Sequence, residues 1–314
     1  MRAYKGSNIC VITPTKDRPE KVKHLLGTLA NQTEKVGRVI VVGSGLDISK
    51  IVLSFSRRLP VEYYHSSQSG QIIQRNLGIT KLNAQTKLVA TIDDDILLAP
   101  DAVERVINFW NHAPKNTAGV GFNITNFPRH RPSRLRRLFF ASEKRPGRVL
   151  SSGFVTQITN VKEDIQTEWL NGGATTWKQD LIINNRHMTE IRAAWSPCED
   201  LLFSYPVSKK HALFVCASAK VLHDDIPAAN LRFRQHFYRG KTLSIWLIYF
   251  VNENPGLSTY RCALAITILS AGGFMYDLCL GRFRRTGFHF GRIAGLFRAL
   301  RQVCFKGNII SAIK

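Results

Sequence analysis

The chain has 314 residues, of which 44% are hydrophobic and 21% are charged. This composition is typical of one or two globular domains and excludes a disordered chain. The formal net charge of +22 indicates an anionic partner, which leaves nucleic acid, anionic lipid or a phosphorylated substrate. Six widely spaced cysteines without a C-x-x-C pair predict neither a zinc site nor a disulfide framework. We expect them to be small buried residues in a reducing compartment.

The positive charge is concentrated in two segments. Residues 126–151 carry 8 Lys and Arg against 1 Asp or Glu, and residues 226–314 carry 13 against 2. In the second segment the basic residues alternate with apolar and aromatic ones, which fits a membrane surface better than a nucleic-acid groove. The first segment is rich in Arg and Pro, and we interpret it as a mobile insertion or an amphipathic surface segment, with a nucleic-acid arm as the alternative.

The first 125 residues alternate predicted strands and helices. The predicted elements are a strand at 8–13 that ends at Pro14, a helix from Pro19 to Ala30, strands at 36–45 and 59–66, a helix from Gln71 to Leu82, a strand at 87–92, a helix from Asp101 to Trp110 and a strand at 119–125. Strands that alternate with helices at this spacing indicate a right-handed parallel α/β sheet of the nucleotide-binding kind.

Three consecutive aspartates, Asp93, Asp94 and Asp95, follow the apolar strand 87–92. An exposed acidic turn is the simplest interpretation, but the apolar residues on both sides favour a buried strand with a ligand crevice at its carboxyl end. Because side chains alternate along an extended segment, we expect Asp93 and Asp95 to point the same way and Asp94 the opposite way. Two carboxylates on one face can hold Mg²⁺ or Mn²⁺ and leave coordination positions for substrate phosphates.

Three features follow in the second half of the chain. Gly172 and Gly173 would let the backbone approach a ligand closely, with a plain turn as the alternative. Glu199 and Asp200 begin a predicted helix, where acids also suit the helix dipole, so a purely structural role stays open. Residues 212–225 predict a pair of strands that ends near His223.

The last ninety residues predict apolar and amphipathic helices. Residues 242–251 and 262–281 are strongly apolar, and residues 291–307 are basic and amphipathic. The second apolar run is close to the roughly 20 residues that cross a bilayer. Because it contains Asp277 and three glycines and is flanked by arginines, we favour helices that lie in the membrane interface, or pack on the domain and touch lipid, over a true span.

The order of the motifs resembles family 2 glycosyltransferases of the GT-A fold, over roughly residues 8–245. The motifs are ICVITPTKDRP, QSGQIIQRNLGI, TIDDD, WLNGG, CEDLLFSY, and VLH followed by RFRQHFYRGK. The resemblance implies an α/β fold of the GT-A type, Rossmann-like, with a mostly parallel central sheet flanked by helices and a C-terminal amphipathic or apolar helical extension. We expect a glycosyltransferase domain at 1–240, with a nucleotide-binding half at 1–125 and an acceptor half at 126–240, and a membrane-associating extension at 241–314.

The resemblance implies transfer of a sugar from a nucleoside diphosphate to an acceptor hydroxyl, with inversion and with Mg²⁺ or Mn²⁺ as cofactor. The expected partners are a nucleoside-diphosphate-sugar donor, a glycan or lipid-linked acceptor such as an envelope polysaccharide, and an anionic membrane surface, without nucleic acid. The N-terminal residues contain no apolar stretch long enough for a signal peptide. We therefore expect a cytoplasmic protein that is peripheral at the inner face of the plasma membrane.

The resemblance also assigns site residues. The donor- or nucleotide-binding residues are Thr13, Pro14, Thr15, Arg18, Gly70, Arg75, Asn76, Asp93 and Asp94. The metal ligands are Asp93, Asp95 and His223, with Asp95 the favoured direct ligand, and Gly172 and Gly173 form the loop under the donor sugar and acceptor. Asp200 is the expected general base, and Glu199 is expected to contact an acceptor or sugar hydroxyl. The chain departs from the family at Gly43, where an aspartate usually binds the base or ribose; Asp47 is the nearest substitute.

Three other functions are alternatives to this one. A sugar-1-phosphate nucleotidyltransferase would share the sheet, but the glycine-rich basic start expected of it is missing. A non-enzymatic protein that binds nucleic acid or anionic membranes accounts for the charge and leaves the aspartates unexplained. A dinucleotide site after GSG would require glycine at position 48, which is Ile48.

Overall fold

The computed structural model describes residues 4–185, 197–224, 231–305 and 307–309. Its strands are β1 Ile9–Lys16, β2 Arg38–Ser44, β3 Val61–His65, β4 Leu88–Ile92, β5 Ile96–Leu98, β6 Thr117–Ile124, β7 Ile165–Thr167, β8 Ala174–Lys178 and β9 Ala212–His223. Its helices are α1 Pro19–Ala30, α2 Ser49–Leu53, α3 Gln71–Ile79, α4 Ala102–His112, α5 Arg134–Leu138, α6 Gln179–Asn184, α7 Glu199–Ser208, α8 Phe233–Asn252, α9 Thr259–Cys279 and α10 Phe283–Cys304.

The described strands form one mixed sheet in the order β3-β2-β1-β4-β8-β6-β9-β5, with β7 paired to β9. Four strands of the predicted nucleotide-binding half, β3, β2, β1 and β4, are parallel to one another, as predicted. The other two strands of that half depart from the prediction, since β5 pairs antiparallel with β9 and β6 antiparallel with β8. Strand β8 then runs antiparallel to both β4 and β6, and β6 is parallel to β9. The parallel half therefore directs the carboxyl ends of β1 and β4 to the same edge of the sheet.

The local sequence explains these elements. All five residues of β4 are buried, as expected for a strand covered on both faces. Helix α1 begins with Pro19 in its first turn and buries Val22, Leu25 and Leu29, which recur at helical spacing on one face. This packing fixes the loop between β1 and α1, which carries the expected donor-binding residue Arg18.

Two predictions about individual strands are wrong, and helix α3 ends at Ile79 and not at Leu82. Strand β1 does not end at Pro14 but continues to Lys16, with Pro14 opposite Val42 of β2. The pairing of β1 with β4 covers only Ile9 to Ile12, so Pro14 has a strand on one side only, and the missing N–H is tolerated as it is at a sheet edge. The predicted pair of strands at 212–225 is the single strand β9, whose irregular register against β6 gives it a local bend.

The cysteine prediction is correct for four residues. All six cysteines are free thiols, and Cys10, Cys198, Cys216 and Cys262 are buried. Cys279 and Cys304 are exposed because they occupy the last positions of helices α9 and α10.

The chain forms two compact units. The first comprises Met1–His130, Gln157–Arg192 and Phe203–Asp225, and the second comprises Arg131–Thr156, Ala193–Leu202 and Ile226–Lys314. The basic segment Arg131–Thr156, which we predicted within the first domain, thus belongs with the C-terminal helices. The domain limits at 240 and 241 stay a prediction.

The second unit contains the predicted C-terminal helices. Helices α8 and α10 approach closely because glycines meet backbone, Gly240 against Phe288 and Gly291 against Phe237. Helix α9 has 21 residues, and its most apolar window has a mean hydropathy of 1.6 with only 28% of it buried. By length and composition α9 could cross a membrane, and most of its apolar surface is not covered by the described residues.

Candidate active site

The carboxyl ends of β1 and β4 bring the first motif against the aspartates, within the first unit. The hydroxyl of Thr15 donates a hydrogen bond to Oδ2 of Asp94 over 2.6 Å. Nη1 of Arg18 lies 3.1 Å from Oδ1 of Asp94 and 3.1 Å from Oδ2 of Asp95. One guanidinium group therefore bridges two neighbouring carboxylates at the end of β4.

The backbone of the three aspartates is a turn and not an extended segment. Asp94 and Asp95 are turn residues, and the N–H of Ile96 donates to the carbonyl of Asp93 over 3.1 Å. The predicted alternation, with Asp94 opposite Asp95, is therefore wrong, because it assumed extended backbone. Asp94 and Asp95 share Arg18, whereas Asp93 has other partners.

Asp93 is held by helix α3 and by the glycine loop. Its carboxylate lies 2.7 Å from Nη2 of the buried Arg75 and accepts hydrogen bonds from Nε2 of Gln71 over 2.8 and 2.9 Å. The N–H of Asp93 donates to the carbonyl of Gly173 over 2.9 Å. A Cβ added to Gly173 would overlap the Asp93 carboxylate. The structure thus gives a steric reason for the second glycine of the WLNGG motif.

Asp95 faces His223. Strands β5 and β9 pair with Ile96 opposite His223, and Nε2 of His223 lies 3.7 Å from Oδ1 of Asp95. Nδ1 of His223 is buried, and no hydrogen-bond partner for it lies within the described part of the chain. The pairing of β5 with β9, which are distant in sequence, therefore brings the Asp95 carboxylate and the His223 imidazole together.

Burial changes the acidity of the central aspartate. It raises the pKa of Asp94 to about 6, and the Thr15 hydrogen bond and the Arg18 charge only partly offset this. The carboxylate cluster is therefore an environment in which additional positive charge is stabilising.

Residues 10–162 match the sequence model described as Glycosyl transferase family 2. These residues form a family 2 glycosyltransferase domain. The chain also resembles curated glycosyltransferases over part of its length.

The curated relatives resemble only part of the chain. An uncharacterized glycosyltransferase of Rickettsia bellii is 29% identical over 107 residues, which is 33% of this chain and 15% of the relative. One of Rickettsia conorii is 30% identical over 105 residues, which is 33% of this chain and 17% of the relative. The match thus spans about a sixth of these relatives' own length.

The solved structures share the fold. The mannosyltransferase PcManGT from Pyrobaculum calidifontis, in complex with GDP-Man and Mn²⁺, has a TM-score of 0.57 and 12% identity over 96% of this chain and 88% of that chain. S. aureus TarS has a TM-score of 0.51 and 16% identity over 86% of this chain and 43% of that chain. At these identities the likeness concerns the fold alone, and it confirms the predicted GT-A architecture.

Within the first unit, most of the predicted donor residues lie at the end of β1, on the loops after β1 and β4, and on α3. Thr13 is buried in β1, Asn76 is buried in α3, and Gly70 precedes α3 with a φ of +148°, which only glycine adopts readily. Gly172 is buried beside Gly173. Their contacts with a donor stay a prediction.

Sequence reasoning missed two glutamines of the domain. The buried Gln74 donates from Nε2 to the carbonyl of Thr15 over 2.6 Å and to that of Val42 over 2.7 Å, which ties α3 to the ends of β1 and β2. Gln71 holds Asp93, as described above. The QSGQIIQRN motif contains three glutamines, a signal that could have drawn attention to them.

The departure at Gly43 has a steric explanation. A Cβ at this position would overlap the ring of Tyr63, which lies on the neighbouring strand β3. Tyr63 thus fills the place that a side chain at position 43 would take. Asp47 accepts a hydrogen bond from the N–H of Ser49 over 2.8 Å, which lowers its pKa; its role as a substitute stays a prediction.

The predicted acid pair lies on helix α7. Glu199 and Asp200 form the first turn of this helix, as the sequence predicted, and Glu199 is buried. Both belong to the second unit. Their roles as acceptor contact and general base stay predictions.

Proposed function

We propose that this chain is a metal-dependent inverting glycosyltransferase that moves a sugar from a nucleoside diphosphate to an acceptor hydroxyl. The observation that carries the proposal is the grouping of Thr15, Arg18 and the three aspartates at the carboxyl ends of β1 and β4. Ligands bind at this edge in open α/β sheets. The PcManGT structure, which shares the fold, contains GDP-Man and Mn²⁺.

The donor set fits a divalent ion that is completed by its substrate. Asp95 offers a carboxylate oxygen and His223 an imidazole nitrogen 3.7 Å away. The carboxylate suits either Mn²⁺ or Mg²⁺, with remaining positions for phosphate oxygens and water, whereas the imidazole favours the transition-metal ion Mn²⁺. No cluster of three or more His, Cys, Asp or Glu with metal-binding geometry occurs among the described residues. When bound, the ion would offset charge on the departing diphosphate.

The other residues of the site have roles that need no covalent intermediate. Arg18 brings a second positive charge to the aspartate cluster, where the leaving diphosphate gains negative charge. Asp93 is fixed by Arg75 and Gly173, so its position is set before a donor binds. Asp200 is the proposed general base that takes the proton of the acceptor hydroxyl, with Glu199 as the hydroxyl contact.

The acceptor that we propose is a glycan or lipid-linked saccharide at the inner face of the plasma membrane. Helix α9 leaves most of its apolar window unburied. The last turn of α9 exposes Tyr276 by 62%, and the start of α10 exposes Phe283 by 66%. Arg282 and Arg284 are exposed beside them. Aromatic and basic side chains together are typical of a helix that lies in an anionic membrane interface.

The test of donor binding is protection against thermal unfolding. We expect a nucleoside-diphosphate sugar with MnCl2 to raise the melting temperature, because a ligand at 100 times its Kd stabilises the native state by about 2.7 kcal/mol. Asp95→Asn should abolish the metal-dependent part, whereas Asp101→Asn, a matched change at an exposed site, should not. Asp200→Asn should keep the protection and abolish transfer. Full transfer activity in both Asp95→Asn and Asp200→Asn would refute the assignment.

The test of membrane association is sedimentation with vesicles. The protein should bind vesicles that contain phosphatidylglycerol, and Arg282→Ser with Arg284→Ser should weaken binding by about tenfold or more, at about 1 kcal/mol per charge. Binding that the double variant leaves unchanged would contradict this surface. Vesicle binding without any donor protection would instead support a non-enzymatic membrane protein.

A further inference from the structure

The second unit contains a cavity that the proposed catalytic site does not use. It has a volume of about 560 Å³ and lies within the basic segment Arg131–Thr156. Arg134 and Arg137 of helix α5 line it together with Arg148 of the following loop. Pockets of this size accommodate small ligands or the head group of a larger one.

The cavity is positively charged. Glu143 is the one carboxylate among its lining residues, against three arginines. The backbone N–H of Lys144 and the charges of Arg137 and Arg148 lower the pKa of Glu143. The lining therefore has an excess of guanidinium groups, which bind phosphate oxygens in a bidentate manner.

The cavity lies at the N-terminal end of the apolar helix α9. The N–H of Ser258, which caps α9, donates to the carbonyl of the lining residue Ser151 over 2.7 Å. The guanidinium of Arg261 lies over the ring of the lining residue Phe140, 4.8 Å from its centre. A helix that lies in the plane of the interface holds both ends near the depth of the head groups. The cavity would then open at that depth.

Helix α5 adds an apolar edge to the basic lining. Leu135 and Leu138 are 67% and 72% exposed, and each directly follows one of the cavity arginines in sequence. Residues three apart share a helix face, so the two leucines form one face and Arg134 with Arg137 another. An apolar chain and a charged head group could contact α5 side by side.

We propose that this arginine cavity binds the diphosphate group of a lipid. The inference rests on the proposed function, in which the acceptor is lipid-linked, and it assigns the diphosphate of that acceptor to Arg134, Arg137 and Arg148. The three guanidinium groups match a diphosphate better than a single phosphate, because a diphosphate offers oxygens to more than one of them. The exposed leucines and the adjacent helix α9 favour a lipid over a soluble diphosphate.

The experiment compares soluble probes on the full chain with EDTA present, so that no metal recruits the probe to the aspartates. Farnesyl diphosphate should bind more tightly than inorganic pyrophosphate. Arg134→Ser with Arg137→Ser should weaken farnesyl diphosphate binding by about tenfold or more, since both substitutions remove charge-assisted hydrogen bonds to phosphate oxygens. The control removes two exposed arginines of the same segment that do not line the cavity, Arg131→Ser with Arg145→Ser, and should change binding little.

Four results would overturn the cavity proposal. The first is no binding of farnesyl diphosphate, and the second is pyrophosphate binding with the same affinity as farnesyl diphosphate. The third is an equal loss of farnesyl diphosphate affinity in the cavity variant and the control variant. The fourth is displacement of the probe by a short single-stranded RNA at a lower concentration than by unlabelled farnesyl diphosphate. Donor protection of the wild type is measured in parallel. Donor protection with unaltered probe binding in the cavity variant overturns the cavity alone. Cavity-dependent binding without donor protection supports the lipid diphosphate site and overturns the proposed transfer.

Discussion

The carbonyl of Gly173 accepts a hydrogen bond from the N–H of Asp93, and this contact leaves no space for a Cβ at position 173 beside the Asp93 carboxylate. We expect Gly173→Ala to displace Asp93 from its partners. It should lower nucleoside diphosphate release from the donor by about tenfold or more and the free energy of unfolding by about 1–3 kcal/mol.

The matched control for this change is Gly27→Ala in helix α1, where a Cβ would meet no atom within 4 Å. Alanine in a helix interior is favoured over glycine by about 0.5–1 kcal/mol, so this variant should melt at the same or a higher temperature. If Gly173→Ala behaved like the control in both melting and activity, the steric relationship would not matter for the site.

The ion pair between Arg75 and Asp93 predicts a stability difference among the aspartates. The Arg75 side chain is 1% exposed and lies 2.7 Å from Asp93. Asp93→Asn leaves a buried guanidinium with less compensation, which typically costs about 3–5 kcal/mol when a buried pair is broken. Because Asp93 itself is 27% exposed, we expect about 2–3 kcal/mol, measured by urea denaturation.

Asp101→Asn is the control for the Asp93 variant, since Asp101 pairs with Arg105 at the surface. Exposed pairs contribute about 0–1 kcal/mol. Equal losses in the two variants would show that the Arg75 pair contributes no more than a surface contact.

The sequence predicted the parallel half of the sheet because its strands are short apolar runs between clear helix signals. It could not predict the turn at Asp94 and Asp95, since three identical residues carry no signal that distinguishes a turn from an extended end. The facing of Asp95 and His223 depends on the pairing of β5 with β9, a contact across more than a hundred residues. The resemblance to the family supplied His223, and the geometry came only from the structure.

The replacement at Gly43 shows a different limit. The missing aspartate was visible in the sequence, but the ring of Tyr63 on the neighbouring strand, which occupies the space of a side chain at position 43, was not. Pairing of β2 with β3 in register is needed to see this. Local sequence patterns do not contain that information, because it is a property of two strands packed together.

Arg18 should compete with the metal ion for Asp95. Its Nη1 lies 3.1 Å from Oδ2 of Asp95, so its charge opposes a cation at the same carboxylate. We expect Arg18→Ala to tighten the binding of Mn²⁺ alone and to weaken the binding of nucleoside diphosphate in the presence of Mn²⁺. Titration of free Mn²⁺ by electron paramagnetic resonance measures the first effect, and calorimetry measures the second.

The control is Arg58→Ala, which also removes one positive charge. Arg58 donates a hydrogen bond to Asn31 and has no hydrogen bond with the aspartates among the described residues. Weaker Mn²⁺ binding in Arg18→Ala, or equal effects in both variants, would contradict direct competition at Asp95.

Arg292 of helix α10 is a buried cation in the second unit. The residue is 7% exposed and lies between the rings of Phe154 and Phe288, with its guanidinium 5.7 and 5.9 Å from their centres. Within the described part of the chain no carboxylate forms an ion pair with it. Burial lowers the pKa of Arg292 to about 10, so the native state binds this proton less strongly than the unfolded chain does.

This shift predicts that Arg292→Met stabilises the protein at neutral pH. Below its folded-state pKa of about 10 the charged guanidinium opposes folding, and the cation–π contacts offset part of that cost. We expect Arg292→Met to raise the melting temperature at pH 7 by several degrees, for a gain of about 1–2 kcal/mol. The gain should shrink as the pH rises above about 10, because the wild type then folds with the neutral group.

The control is Arg298→Met, at an exposed position of the same helix, which should change the melting temperature little at neutral or at high pH. A clear loss of stability in Arg292→Met would mean that the guanidinium has a net favourable interaction in the folded state, and the sign of its pH dependence would then be reversed.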